Sequence, residues 1–199
     1  MSYETQKANR RRKKAFLCKE RVFVGRGIDL GSGKDPFKKN GFRKISSIEP
    51  FDIEDGDAQY VNKYRQENSY DFVYSSNCLE HMEDPSVALK NWMALVKEGG
   101  HLFFTVPDED LYEQKVFPSR FNPDHKWIFT ISKEKSWSPK SINILDLIKT
   151  LDNFKIIKIE LVDTDYDYFA PTGKDQTKGK KGAEAFIEVV LQKTKNRIP

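Results

Sequence analysis

The residues best suited to chemistry in this chain follow one another at the ends of short apolar runs. Gly27-Ile28-Asp29-Leu30-Gly31-Ser32-Gly33 closes a strand-like segment on two glycines, and glycines there let a ligand approach the backbone closely. A dinucleotide fingerprint would read G-x-G-x-x-G, with the pyrophosphate over a helix N-terminus; Pro36 stands where the third glycine belongs. Asp29, two residues before Gly31, would repel a pyrophosphate. It suits a ligand that carries an ammonium group and a sulfonium charge. Further on, Glu49 ends a second short strand-like stretch. Its two carboxylate oxygens can accept from two vicinal hydroxyls, and Asp52 is a rival for that task.

Three imidazoles could take a proton from a hydroxyl. His125 lies in Asn122-Pro123-Asp124-His125-Lys126-Trp127, where Asp124 or another carboxylate could orient its ring. It is preferred as a base over His81, which also reads as a helix-entry residue; His101 reads as structural or exposed. Tyr112, Arg120, Phe121 and Trp127 bring aromatic faces and a guanidinium that fit a sugar ring, an aromatic acceptor or an anionic tail. Packing under a loop is the competing reading. Asp108, Glu109 and Asp110 could face an acceptor, but capping a turn is the preferred role. Four ligands at structural-zinc spacing are absent, and no metal site is expected.

The elements that must position these groups can be read from period and punctuation. Strands are predicted at 22–30, 45–48, 70–75 (YDFVYS) and 101–106 (HLFFTV). Asp84-Pro85 starts a helix as N-cap and first-turn proline. Leu89, Trp92, Met93 and Val96 give it one apolar face, and Gly99-Gly100 is expected to stop it. The interval between the second and third strands leaves no room for a full helix. A second helix is expected from Ser138-Pro139, with Ile144, Leu147, Ile148 and Leu151 on its buried side. Two late strands follow, 154–162 and 185–191, separated by a polar lysine- and glycine-bearing loop at 172–182. Strands alternating with helices imply an α/β fold with a mainly parallel sheet. Two consecutive strands at the end imply an antiparallel C-terminal edge hairpin.

Together these motifs resemble the class I S-adenosylmethionine-dependent methyltransferases, over roughly residues 22–107. The resemblance implies a Rossmann-like three-layer αβα sandwich and S-adenosyl-L-methionine as cofactor. Asp29, Gly31, Ser32 and Gly33 would form its first contact, and Glu49 would hold the ribose. In Gly56-Asp57-Ala58-Gln59, Asp57 would accept from the adenine amino group and the Ala58 amide would meet a ring nitrogen. In Ser75-Ser76-Asn77-Cys78-Leu79-Glu80-His81, Ser76 and Asn77 would flank the cofactor. Leu79-Glu80-His81-Met82-Glu83-Asp84-Pro85 looks like the small-molecule branch of the family. A small-molecule or glycan-type acceptor is therefore expected. RNA or protein as acceptor, and a catalytically silent cofactor-binding subunit, are the alternatives.

Composition agrees with a single domain over residues 1–199, with 1–20 as a basic N-terminal segment and 108–140 as an acceptor-side insertion or lid. The net charge of +4 is mild for a dedicated nucleic-acid binder, so a nucleic-acid partner is disfavoured. Arg10 to Lys14 is read as a solvated terminus in preference to a phosphate-contacting arm. No run reaches the length of a membrane span. Two cysteines make no disulfide framework, and a cytoplasmic location is expected.

Overall fold

The computed structural model describes residues 3–195. In it the strands β1 (Gly25–Leu30), β2 (Ile45–Phe51), β3 (Tyr70–Ser76) and β4 (Val96–Pro107) run parallel. Two short strands, β5 (Ile128–Thr130) and β6 (Ser141–Asn143), pair separately. The late strands β7 (Phe154–Val162) and β8 (Phe186–Lys193) join the main sheet antiparallel, in the order β2-β1-β3-β4-β8-β7. The expected antiparallel edge is therefore present. Because β2 and β3 lie on opposite sides of β1, the chain changes direction there. A crevice opens beyond the carboxyl ends of β1 and β3, where ligands of such sheets bind.

Alternation along the strands divides the core between two faces. Ile28, Leu30, Val73, Leu102 and Phe104 pack against Leu89 and Trp92 of α2 (Pro85–Leu95) and against Ile144 and Ile148 of α3 (Ile144–Ile148). Phe72, Tyr74, Phe103 and Val190 face the other way, onto Phe23, Phe37 and Phe42. That second layer comprises α1 (Glu4–Arg12), a π-helical turn at Leu17–Val22 and an irregular stretch after Gly31.

Three expectations about elements need correction. The cap of α2 is as expected, with Asp84 accepting from the Ser86 and Val87 amides. The helix, however, stops at Leu95 rather than at Gly99-Gly100. Val96 is already extended and pairs with Tyr70, and Gly99 (φ +77°) lies in the irregular start of β4. Ser138-Pro139 opens no helix. Residues 141–143 pair with β5 first, and the helix is the single short α3; its predicted apolar face is nonetheless buried. The basic terminus is solvated only in part: Arg10 and Lys14 are exposed, but Arg11 and Arg12 turn onto the sheet. Arg12 is fully buried and stacked over the Phe103 ring, where it donates to Glu188 (2.9 Å) and to the Tyr74 hydroxyl (2.8 Å). Arg11 bridges Glu184 and Glu188. Burial alone would raise the Glu188 carboxyl; the facing Arg12, Arg11 and Lys158 instead hold it far below the carboxylate range. Among the described residues no helix is long and apolar enough to cross a membrane.

Candidate active site

A cavity of about 390 Å³ occupies the crevice. One wall is the turn after β1. Gly31 has φ +70°, and a Cβ there would fall 2.5 Å from Cys78 Sγ, so glycine is required both by backbone conformation and by space. The Gly31 and Ser32 amides donate to the Phe51 carbonyl, which ties the turn to the end of β2. Gly33, Ser76 and Asn77 continue the wall. Thr105 Oγ1 lies 3.2 Å from Ser76 Oγ and 3.3 Å from Asn77 Oδ1. Glu4 and Thr5 of α1 close the cavity on another side.

Asp29 sits beneath this turn, only 2% exposed, with Oδ2 accepting from the Phe37 amide at 2.7 Å. Burial, reinforced by Asp35 and Asp52, pushes its carboxyl up to about 7 against the pull of that hydrogen bond. A buried carboxylate that lacks a counter-charge is stabilised by a cationic ligand group. Asp29 is not itself among the residues lining the cavity; it stands behind the Gly31–Gly33 turn that does.

The ribose and adenine residues are placed less simply. Glu49 pairs with Ile28 in mid-strand, short of the strand end. Its oxygens accept from Arg65, from the Tyr70 hydroxyl (2.8 Å) and from Arg26 (3.1 Å). Burial opposes ionisation, yet the hydrogen bonds from Tyr70, Arg65 and Arg26 hold its carboxyl below the usual range. Asp52 directly follows β2, beyond the Leu30–Phe51 pair and level with the glycine turn. Asp57 is exposed and caps the 3-10 turn Ala58–Lys63 by accepting from the Gln59 amide. The Ala58 carbonyl is held by Trp92 Nε1 at 2.8 Å. That turn fills the interval with no room for a helix, and it packs on α2.

The opposite wall carries an imidazole–carboxylate cluster. His125 Nδ1 lies 2.7 Å from Glu113 Oε1, and its Nε2 lies 3.8 Å from Glu80 Oε1. Burial opposes the imidazolium, but Glu113 and Glu80 lift His125 above its ordinary value. His81 is lowered, chiefly by burial, and its Nδ1 meets the Asp124 carbonyl at 3.1 Å. Glu80 is fully buried, and burial pushes its carboxyl up to about 7. Asp124 is not the orienting acid: the turn after Asn122 leaves its carboxylate exposed, and Glu113 takes that place. Of the expected acceptor residues, Tyr112 lines the cavity, its ring 5.4 Å from that of His125 and 5.8 Å from that of Phe121. Arg120 is exposed beside Gly173, away from the cavity wall. Trp127 packs against the main core and donates to the Met82 carbonyl at 3.0 Å. Asp108 caps a turn, accepting from the Asp110 and Leu111 amides. Sequence reasoning quoted Glu80 without giving it a task and passed over Glu113. Only the acid beside His81 carried a local signal.

The fold and the site together define a class: a Rossmann-like domain whose cavity is lined by a glycine turn at the end of β1. A family profile described as a methyltransferase domain matches residues 3–137, and the chain belongs to that family. It is a class I S-adenosylmethionine-dependent methyltransferase. Among curated proteins, the ubiquinone biosynthesis O-methyltransferase of Proteus mirabilis is 34% identical over 80 residues. That match spans 40% of this chain and only 31% of the relative's length. Among solved structures, a SAM-dependent methyltransferase from Archaeoglobus fulgidus superposes with a TM-score of 0.60 at 16% identity, covering 96% of this chain and 95% of that one. One from Clostridium acetobutylicum gives 0.55 at 12% identity, covering 98% and 93%. At such identities the likeness is one of fold.

Proposed function

We propose that this enzyme methylates a hydroxyl oxygen of a small-molecule or glycan-type acceptor. One observation carries the reading: the glycine turn above Asp29 and the Glu80–His81–His125 cluster line the same cavity. The bound cofactor supplies a methyl group already activated on a sulfonium. Asp29, Gly31, Gly33, Ser76 and Asn77 hold its amino-acid end, and Asp52, rather than Glu49, holds the ribose. Asp57 and Ala58 face the adenine. The acceptor oxygen lies across the cavity, between Tyr112 and the cluster. There Tyr112 and the cluster would align that oxygen with the methyl group, which the cofactor would give up with sulfur keeping the bonding pair. The hydroxyl proton is drawn off by the cluster. Alignment alone can supply several kcal/mol, up to roughly 10. The curated relative, named for an O-methylation, supports an oxygen acceptor.

The test is transfer of labelled methyl from the cofactor to a panel of phenols, diols, saccharides and RNA, alongside calorimetric binding of the demethylated cofactor. Turnover on a hydroxyl compound is expected. Turnover confined to amines or RNA overturns the acceptor assignment. A second reading, an RNA acceptor, is favoured by one feature: Arg10 and Lys14 of the N-terminal run border a groove with Lys180 and Lys181 of the late loop. It would show as RNA affinity that falls steeply with salt and is lost when those four residues are changed to glutamate.

A further inference from the structure

Both imidazoles in the cavity are turned the same way. His81 Nδ1 faces a backbone carbonyl, which can only accept, so that nitrogen carries the proton. His125 Nδ1 faces the Glu113 carboxylate at 2.7 Å and does the same. Each neutral ring is left with a lone pair on Nε2, and each Nε2 points at Glu80 Oε1, at 4.0 Å from His81 and 3.8 Å from His125. Neither Glu80 oxygen has a hydrogen-bond partner, although the residue is fully buried. Two nitrogen lone pairs and an unpartnered carboxylate, all within 4.8 Å of one another, converge on a point that lacks a donor. A shared proton relieves that conflict in the free chain, and a metal cation would relieve it by displacing that proton.

We propose that Glu80, His81 and His125 bind a first-row divalent cation such as Mn²⁺, Co²⁺ or Zn²⁺, with Glu113 as the positioning residue that fixes the His125 ring. Two imidazoles and one carboxylate suit these ions better than Mg²⁺, which favours oxygen ligands. Ligand atoms about 2.1 Å from a tetrahedral ion stand roughly 3.4 Å apart, so the two Glu80 contacts need to close by only about 0.5 Å. Glu113 on the far nitrogen of a ligating histidine is the arrangement that raises ligand basicity and sets the tautomer. The three residues face the cavity, so the ion keeps positions open toward it. The inference rests on the methyltransferase reading only for its consequence: the open positions would take the acceptor oxygen, selecting an acceptor whose hydroxyl can ligate a metal. With the ion bound, the cluster would draw off the hydroxyl proton by lowering its pKa so that it leaves to water, the imidazoles serving as ligands. This runs against the sequence expectation of no metal. That expectation looked for four ligands close in sequence, whereas residue 125 reaches residues 80 and 81 only through the fold.

The test is titration of the chelator-treated full chain with Co²⁺ at pH 7.5, followed by the ligand-field absorption of the ion, and calorimetry with Mn²⁺ and Zn²⁺. One equivalent is expected to bind. Glu80→Gln and His125→Gln should abolish the stoichiometric signal, Glu113→Gln should weaken it by roughly 10–100-fold, and His101→Gln should leave it unchanged. Binding of the demethylated cofactor, measured on every variant, verifies folding and tests the methyltransferase site independently of the ion. No stoichiometric binding to the wild-type chain, or binding untouched by both Glu80→Gln and His125→Gln, overturns the proposal.

Discussion

Asp29 shows how a buried side chain can be costly to the fold and yet be placed behind a ligand-sized cavity. Its carboxyl is raised to about 7 by burial, against an ordinary value near 3.9. Near neutrality the free enzyme therefore holds it partly protonated, and a cationic ligand displaces that proton. Affinity for the cofactor should rise with pH between about 6 and 7.5, with proton release that scales with buffer ionisation enthalpy in calorimetry. Asp29→Asn should remove the pH dependence and weaken binding roughly tenfold or more, as expected for loss of a charged hydrogen bond. A pH-independent wild-type affinity would show that the carboxylate does not meet the ammonium group. Residue type and spacing made Asp29 and Gly31 legible from sequence. They could not separate Glu49 from Asp52, because the choice depends on where β2 ends relative to the glycine turn. Proline at position 50 suggested an end there, yet strand pairing continues through Phe51.

Among the elements, α1 was misread most. A run of five basic residues normally marks a solvated stretch, but here Arg11 and Arg12 find Glu184, Glu188 and aromatic rings on late parts of the chain. Charge counting along the sequence cannot foresee partners more than 170 residues away. The consequence is that α1 is fastened across the interior strands β3, β4 and β8 while its first turn closes the cavity. Glu188→Gln leaves the buried Arg12 charge without its counter-charge and should cost about 3–5 kcal/mol, seen as a melting temperature lower by roughly 6–20 °C. Double replacement of Arg12 and Glu188 by apolar residues should recover part of the loss. Equal stability of Glu188→Gln and wild type would mean that the network contributes nothing. For α2, by contrast, the Asp84 cap, the proline and the apolar face were all local signals. The ending failed because Val96 gains more by pairing with Tyr70 than by another helical turn.

For the molecule as a whole, opposing titrations shape the dependence of stability on pH. The raised carboxyls of Asp29 and Glu80, about 7, and Asp108, about 6, favour the folded state at low pH; that contribution is full below about 4 and is lost as pH rises through those values. His101, lowered to about 4 by burial, acts in the opposite sense: its contribution is full above about 6.5 and lost as pH falls toward 4. The depressed Glu188 adds a loss below about 4.3. The cofactor-free protein should therefore be most stable near about pH 4–4.5. Its melting temperature should decline from there to about pH 7 and then level off, and Asp29→Asn should flatten that decline. Calorimetric scans across pH 4–8 would check this; a stability that climbs steadily to pH 8 would contradict it.

Local patterning was enough to give the α/β class, most strand positions, the capped helix and the glycine turn after β1, because apolar period, turn glycines and caps act over a few residues. Packing alone decided that Glu113 orients His125, that Glu80 faces both imidazoles, that Trp127 serves the core, and that Arg12 of the basic terminus is buried. Those outcomes join residues from separate segments, and nothing in the spacing of a linear chain encodes which distant side chains will share one low-dielectric pocket.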